Sequence, residues 1–226
     1  MEGCDINQPD FEELTPLVRA AEQGKQGVVG LVLKRDDIDP EKPDKYGRAA
    51  LWWASTKGHE AVVRLLLARD DVNPDTPDRY GCTPLWSASR NGHEGVVRLL
   101  LARDDVNPDK PNNNGITPFQ CASGEAHEGV VKLLLSHRAI NPDQPDHNSP
   151  TPLPSASSNV HEEVARPPAA RDDVSPDKPG SGDLTFLQCA SSDGHEEVVT
   201  TSGTGWCWFI RAGQHCPNTT EHLFNA

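Results

Sequence analysis

Thr83-Pro84-Leu85-Trp86-Ser87-Ala88-Ser89, continued by Gly92-His93-Glu94-Gly95-Val96-Val97-Arg98-Leu99-Leu100-Leu101, is the stretch that decides the fold. Its first half returns 34 residues later as Thr117-Pro118-Phe119-Gln120-Cys121-Ala122-Ser123 and again as Thr151-Pro152-Leu153-Pro154-Ser155-Ala156-Ser157. The same step taken toward the N-terminus lands on Ala49-Ala50-Leu51-Trp52-Trp53-Ala54-Ser55 and on Thr15-Pro16-Leu17-Val18-Arg19-Ala20-Ala21. One further step forward reaches Thr185-Phe186-Leu187-Gln188-Cys189-Ala190-Ser191, so six copies share one register. An internal period of this length marks a repeat architecture.

Each copy carries two helices. Thr83 suits an N-cap and Pro84 the first helical position, where a missing N–H costs nothing. Leu85, Ala88 and Ser89 fall at i, i+3 and i+4, a narrow face of small residues that lets a neighbouring helix come close. Gly92 ends this helix. In the second helix Val96, Val97, Leu100 and Leu101 form a broader apolar face that needs both its partner helix and the next repeat for burial. The connector from Asp104 to Asn112 holds too much Pro and Asp for a helix, and it should run extended to a turn at Asn113-Asn114-Gly115. One unit cannot bury its own apolar faces, whereas three or more stacked units can.

Thr-Pro-Leu opening one helix, Gly-His opening the second and a long hairpin-like loop between units together resemble the ankyrin repeat. The resemblance covers Asp5 to about Ala139 and is closest over Gly58-His59-Glu60-Ala61-Val62-Val63-Arg64-Leu65-Leu66-Leu67-Ala68-Arg69-Asp70-Asp71-Val72-Asn73. It implies an all-α, ankyrin-type α-solenoid of helix-turn-helix repeats joined by hairpin-like loops, with partners held on the concave side formed by the first helices and loop tips. The chain departs from the family where a His usually follows Thr-Pro-Leu: here stand Trp52, Trp86, Gln120, Pro154 and Gln188, so the bond made by that His is not carried over. The period is also one residue longer than usual, and the extra residue is expected in the Pro-rich loop, where insertion is cheap.

The array is expected to be regular over residues 1–139 (four repeats), degenerate over 140–200, and followed by an irregular tail at 201–226. In the fifth copy Val164-Ala165-Arg166-Pro167-Pro168-Ala169-Ala170 replaces the Val-Val-Arg-Leu-Leu-Leu-Ala pattern. Each Pro inside a helix costs about 3 kcal/mol, and each lost Leu removes roughly 2 kcal/mol of burial. The sixth copy leaves the pattern after Val199. The tail's apolar Trp206-Cys207-Trp208-Phe209-Ile210 either folds back over the end of the stack or stays poorly ordered, with an altered reading frame or a truncated array as further alternatives.

Composition narrows the function. Acids outnumber bases 34 to 21, and the net charge of −13 repels nucleic acid and anionic lipid. No run approaches the roughly 20 apolar residues of a membrane span, and the start has no basic region followed by an apolar core. These features predict a monomeric cytoplasmic or nuclear protein that is not secreted, with its six cysteines reduced.

No catalytic, cofactor or metal residue is assigned. His59, His93, His127, His161 and His195 recur once per period, and helices stacked about 8 to 10 Å apart hold them too far from one another to share an ion at about 2 Å. Asp71-Val72-Asn73-Pro74-Asp75 and Asp105-Val106-Asn107-Pro108-Asp109 begin like calcium loops, but Thr76 or Lys110 replaces the sixth-position Gly and Cys82 or Ile116 the twelfth-position Glu. They are expected to be solvated loop acids. Cys207 and Cys216 lack the spacing of a zinc ligand pair. Neither a Gly-x-Ser-x-Gly elbow nor a phosphate loop occurs.

The expected activity is that of a protein-interaction scaffold. With Leu51, Ala54 and Ser55 facing the core, Trp53 points away from it and Lys57 follows one turn later. Loop tips bring Lys45, Tyr46, Arg79 and Tyr80, joined by Arg48, Arg90, Asn91, Asn113 and Asn114. Tyr, Trp and Arg often dominate binding energy, and a locally basic aromatic face on an acidic protein suits a partner protein or acidic peptide segment. Alternatively, Trp52 and Trp86 serve helix packing and the cations form a solvated face. At the level of the whole chain the alternatives are a regulatory fragment of a larger multidomain protein or a decayed array.

Overall fold

A computed structural model describes residues 5–141 and 144, together with the backbone of 200–201 and 207–208. Eight short helices occur among the described residues: α1 (Pro16–Glu22), α2 (Gln26–Val32), α3 (Ala50–Thr56), α4 (Glu60–Leu67), α5 (Pro84–Arg90), α6 (Glu94–Leu101), α7 (Pro118–Gly124) and α8 (Glu128–Ser136). First helices α1, α3, α5 and α7 pack in one row, second helices α2, α4, α6 and α8 in another, and the two helices of each repeat pack on each other. The result is an all-α solenoid. Outside it, Thr200–Thr201 (β1) pairs antiparallel with Cys207–Trp208 (β2). The expected break at Pro167 and Pro168, and everything after residue 144 other than these four strand residues, lie outside the described residues.

Sequence chemistry explains the helix ends. The Thr15, Thr83 and Thr117 hydroxyls accept from the backbone N–H of Val18, Trp86 and Gln120, with Pro at the next position each time. Gln120 returns the bond through its own side chain, completing a capping box. The second repeat has Ala49 there and makes no such bond. Between the two helices of a repeat the chain turns through Gly58 and Gly92, both at φ +74°. A Cβ at Gly58 would come within 2.7 Å of the His93 ring, so glycine serves both the turn and the close approach of the next repeat.

The core is a continuous spine. Leu17, Leu85 and Phe119 from the first helices and Val62, Leu66, Val96, Leu100 and Leu134 from the second are all essentially inaccessible. Leu101, expected in the buried set, is only half-buried. It packs against the spine from the margin of the face.

Polar groups bridge the repeats at constant sequence separation. His59, His93 and His127 each donate through Nε2 to a carbonyl 37 residues earlier, on Glu22, Thr56 and Arg90, at 3.0, 2.9 and 2.8 Å. Arg69 and Arg103 use Nη1 on the Leu33 and Leu67 carbonyls at 2.7 Å and fork onto Asp71 and Asp105. Not all the loop acids are solvated, as the sequence had suggested. The Asp75 carboxylate accepts from the Asn107 N–H at 2.8 Å, and Glu41 accepts from the Thr76 hydroxyl at 2.6 Å; burial pushes both carboxyls above their ordinary range. The connector is therefore part of the interface between repeats.

Two outcomes test this packing. Leu100→Ala removes a fully buried side chain and should cost roughly 2 to 5 kcal/mol in a urea titration. Asp75 in the folded chain holds its proton more tightly than the ~3.9 of an unfolded Asp, so ionising it costs stability once the pH rises above that value. Asp75→Asn, which keeps an oxygen for the Asn107 N–H, should thus raise the melting temperature at pH 7. The gap should close in melts below about pH 4.

Candidate functional site

The loop tips are built by one device used four times. Asp10, Asp44, Asp78 and Asn112 each accept, on Oδ1, the backbone N–H groups two and four residues ahead, at 2.8 to 3.0 Å. The Arg79 N–H donates to the Tyr46 carbonyl and the Asn113 N–H to the Tyr80 carbonyl, both at 2.9 Å, which joins successive tips edge to edge. Gly81 makes this possible: at φ +80°, a Cβ there would lie 2.8 Å from the Asn113 nitrogen. The side chains at each tip are consequently held in line with those of the next repeat.

An open groove of about 640 Å³ lies along this row. Repeat two contributes Tyr46, Arg48 and Trp52; repeat three Asp78, Arg79, Tyr80, Cys82, Trp86 and Arg90; repeat four Asn112 and Asn114. Guanidinium groups and rings alternate within it. Tyr46 is sandwiched between Arg48, 4.5 Å from its ring centre, and Arg79, at 4.3 Å. Arg48 also lies 4.2 Å from the Trp53 ring, and Arg79 lies 4.7 Å from that of Tyr80, whose hydroxyl it hydrogen-bonds.

The two arginines differ electrostatically. Arg48 pairs with Asp44 at 2.7 Å. Burial alone would raise the Asp44 carboxyl, but Arg48 and two backbone N–H groups hold it below its ordinary range. Arg79 makes no ion pair among the described residues. Burial, with Asp78 adding to it, pushes the Cys82 thiol up to about 11, and burial pushes Cys121 up to about 12. Both stay protonated at neutral pH and are poor nucleophiles.

Of the residues singled out from sequence, Tyr46, Arg48, Arg79, Tyr80, Arg90 and Asn114 come together in the groove. Lys45, Trp53, Lys57, Asn91 and Asn113 do not line it. Lys45 and Lys57 are exposed at its margin, 5.3 Å from the Tyr46 ring and 5.9 Å from the Trp53 ring. Trp53 does not project freely: it is half-buried and donates its indole N–H to Asp44 at 3.3 Å. Asn91 and Asn113 use their amides on the Ser87 and Arg79 carbonyls.

The chain matches the family model for ankyrin repeats in three copies over residues 1–78 and 38–112, and that for a single ankyrin repeat over 114–147. The chain belongs to the ankyrin repeat family. No curated protein matches it significantly. Ankyrin repeats serve in general as protein–protein interaction modules and non-enzymatic scaffolds. Among the described residues no helix is long and apolar enough to cross a membrane, and no group of His, Cys, Asp and Glu is placed to hold a metal ion.

The position after Thr-Pro-Leu, where the ankyrin His is missing, has a donor of another kind. The Trp52 and Trp86 indoles reach the Cys82 and Ile116 carbonyls of the next repeat at 3.0 Å, and Gln120 reaches the Gln144 carbonyl at 2.8 Å. Trp52 and Trp86 thus bond to the next repeat and also line the groove. Trp86→Phe keeps an aromatic ring, though a smaller one, and strands the Ile116 carbonyl. It should cost about 1 to 3 kcal/mol in chemical denaturation.

Proposed function

We propose that this chain captures an acidic segment of a partner protein on the concave face of repeats two to four, with Arg79 as the anchor. The unpaired Arg79 guanidinium carries the reading: it is exposed at a loop tip, held between the rings of Tyr46 and Tyr80, and not neutralised as Arg48 is by Asp44. A carboxylate arriving there gains a charge-assisted hydrogen bond without displacing an internal carboxylate. Lys45 and Lys57 extend the positive potential along the rim, Arg90 is partly offset by Glu125 at 3.6 Å, and Asn113 and Asn114 continue the polar tip row into repeat four. The flanking rings supply apolar area at small cost in side-chain entropy, a common make-up of binding hot spots.

The acidity of the whole chain favours this assignment. At a net charge of −13, a basic groove lies within an otherwise repulsive field, so selectivity for a matching segment is paired with rejection of other acidic surfaces. Attraction between exposed charges is screened over about 8 Å at physiological ionic strength, so binding should weaken steeply with salt.

Fluorescence anisotropy of a labelled Glu-rich peptide with the full chain tests the proposal. Arg79→Ala should weaken binding about tenfold, roughly 1.4 kcal/mol, and Tyr80→Ala, at an exposed residue, should weaken it with little change in melting temperature. Equal affinity of the Arg79→Ala chain, or of a peptide with Gln in place of every Glu, would overturn it.

A further inference from the structure

Charge along the concave face is not uniform, and its order selects a register for the partner. On repeat one, Asp10, Glu12, Glu13 and Glu22 occupy the tip and first-helix positions against a single cation, Arg19. Arg19 is already committed, at 2.7 Å to Asp10, 2.5 Å to Glu12 and 3.6 Å to Glu22, and Glu13 is exposed with no side-chain partner among the described residues. The equivalent positions of repeat two hold Lys45, Arg48 and Lys57 against Asp44 alone, and those of repeat three Arg79 and Arg90 against Asp78. On repeat four only Glu125 is charged, and it lies 3.6 Å from Arg90. The face runs acidic, basic, basic and nearly neutral from its N-terminal end.

Resting on the acidic-segment reading above, we infer that the bound segment presents two carboxylates about three residues apart over repeats two and three, and a basic residue about three residues before them, over repeat one. The spacing is geometric. Packed helices sit about 8 to 10 Å apart, and a segment in the polyproline-II conformation advances about 3.1 Å per residue and returns every third side chain to the same face, so one repeat corresponds to about three residues of ligand. A carboxylate placed over repeat one meets uncompensated like charge. A cation there meets Glu13 and the outward side of Glu12. Repeat one sets the register chiefly by rejecting the wrong alignment.

Three labelled peptides, differing only in charge order, separate this inference from the reading beneath it when titrated against the full chain at low salt. They carry Lys, Glu and Glu at positions three apart, Gln, Glu and Glu, or Glu, Lys and Glu. The Lys-first peptide should bind about three- to fivefold more tightly than the Gln-first one, the yield of one or two exposed pairs, and the centrally basic peptide most weakly. Glu12→Gln with Glu13→Gln should erase the difference between the first two, and Glu13→Gln alone, which breaks no side-chain bond, should reduce it. If Lys-first and Gln-first bind equally and the variants change nothing, the register is wrong although the groove binds acid. If none of the three binds, the groove reading itself falls.

Discussion

Every polar and apolar feature of this array answers to one constraint: a repeat of two short helices cannot bury its own faces and must be completed by its neighbours. The helices have only seven to nine residues, too few to persist alone in water. Contacts between repeats supply what is missing. The histidine bonds reach 37 residues back, the arginine bonds 36, and the tryptophan bonds 30 residues forward. Because each is repeated at the same separation, a change of one residue in the period would miss all of them together. Constant length over the described repeats follows from that.

The architecture was legible because its signals are local and periodic. Thr-Pro at a helix start and Gly at its end have fixed meanings for backbone geometry, and they recur in phase with the apolar residues. The polar bridges were harder to see. His59 and His93 were recognised as structural from their periodicity, but which carbonyl they reach depends on how two repeats dock. The loop acids looked solvated because no sequence pattern separates Asp71, spent on Arg69, from Asp75, folded under the next loop. Asp44, Asp78 and Asn112 had a readable signature, the same position at each period, which was obscured by the many other acids nearby.

The candidate site shows the same division. Residue types nominated Tyr46, Arg48, Arg79 and Tyr80, and the fold brings them into one groove. The distinction between the two arginines lies in Asp44, which sits four residues before Arg48, pairs with it and is almost wholly shielded from solvent. Trp52 and Trp86 illustrate a different difficulty. A large amphipathic side chain at a tight packing site spends its N–H on a neighbour and still shows a ring edge to solvent, so core and surface were not exclusive alternatives for it.

The Tyr46 sandwich has a thermodynamic side. One of its guanidinium faces comes from the same repeat and the other from the next, so the anchor exists only while repeats two and three are docked. A partner seated there acts as a clamp across that seam, and its binding energy is added to the cohesion of the two units by mass action. Loosening the seam elsewhere would therefore lower affinity with no contact to the partner removed, while a saturating partner would rescue a chain weakened at that junction.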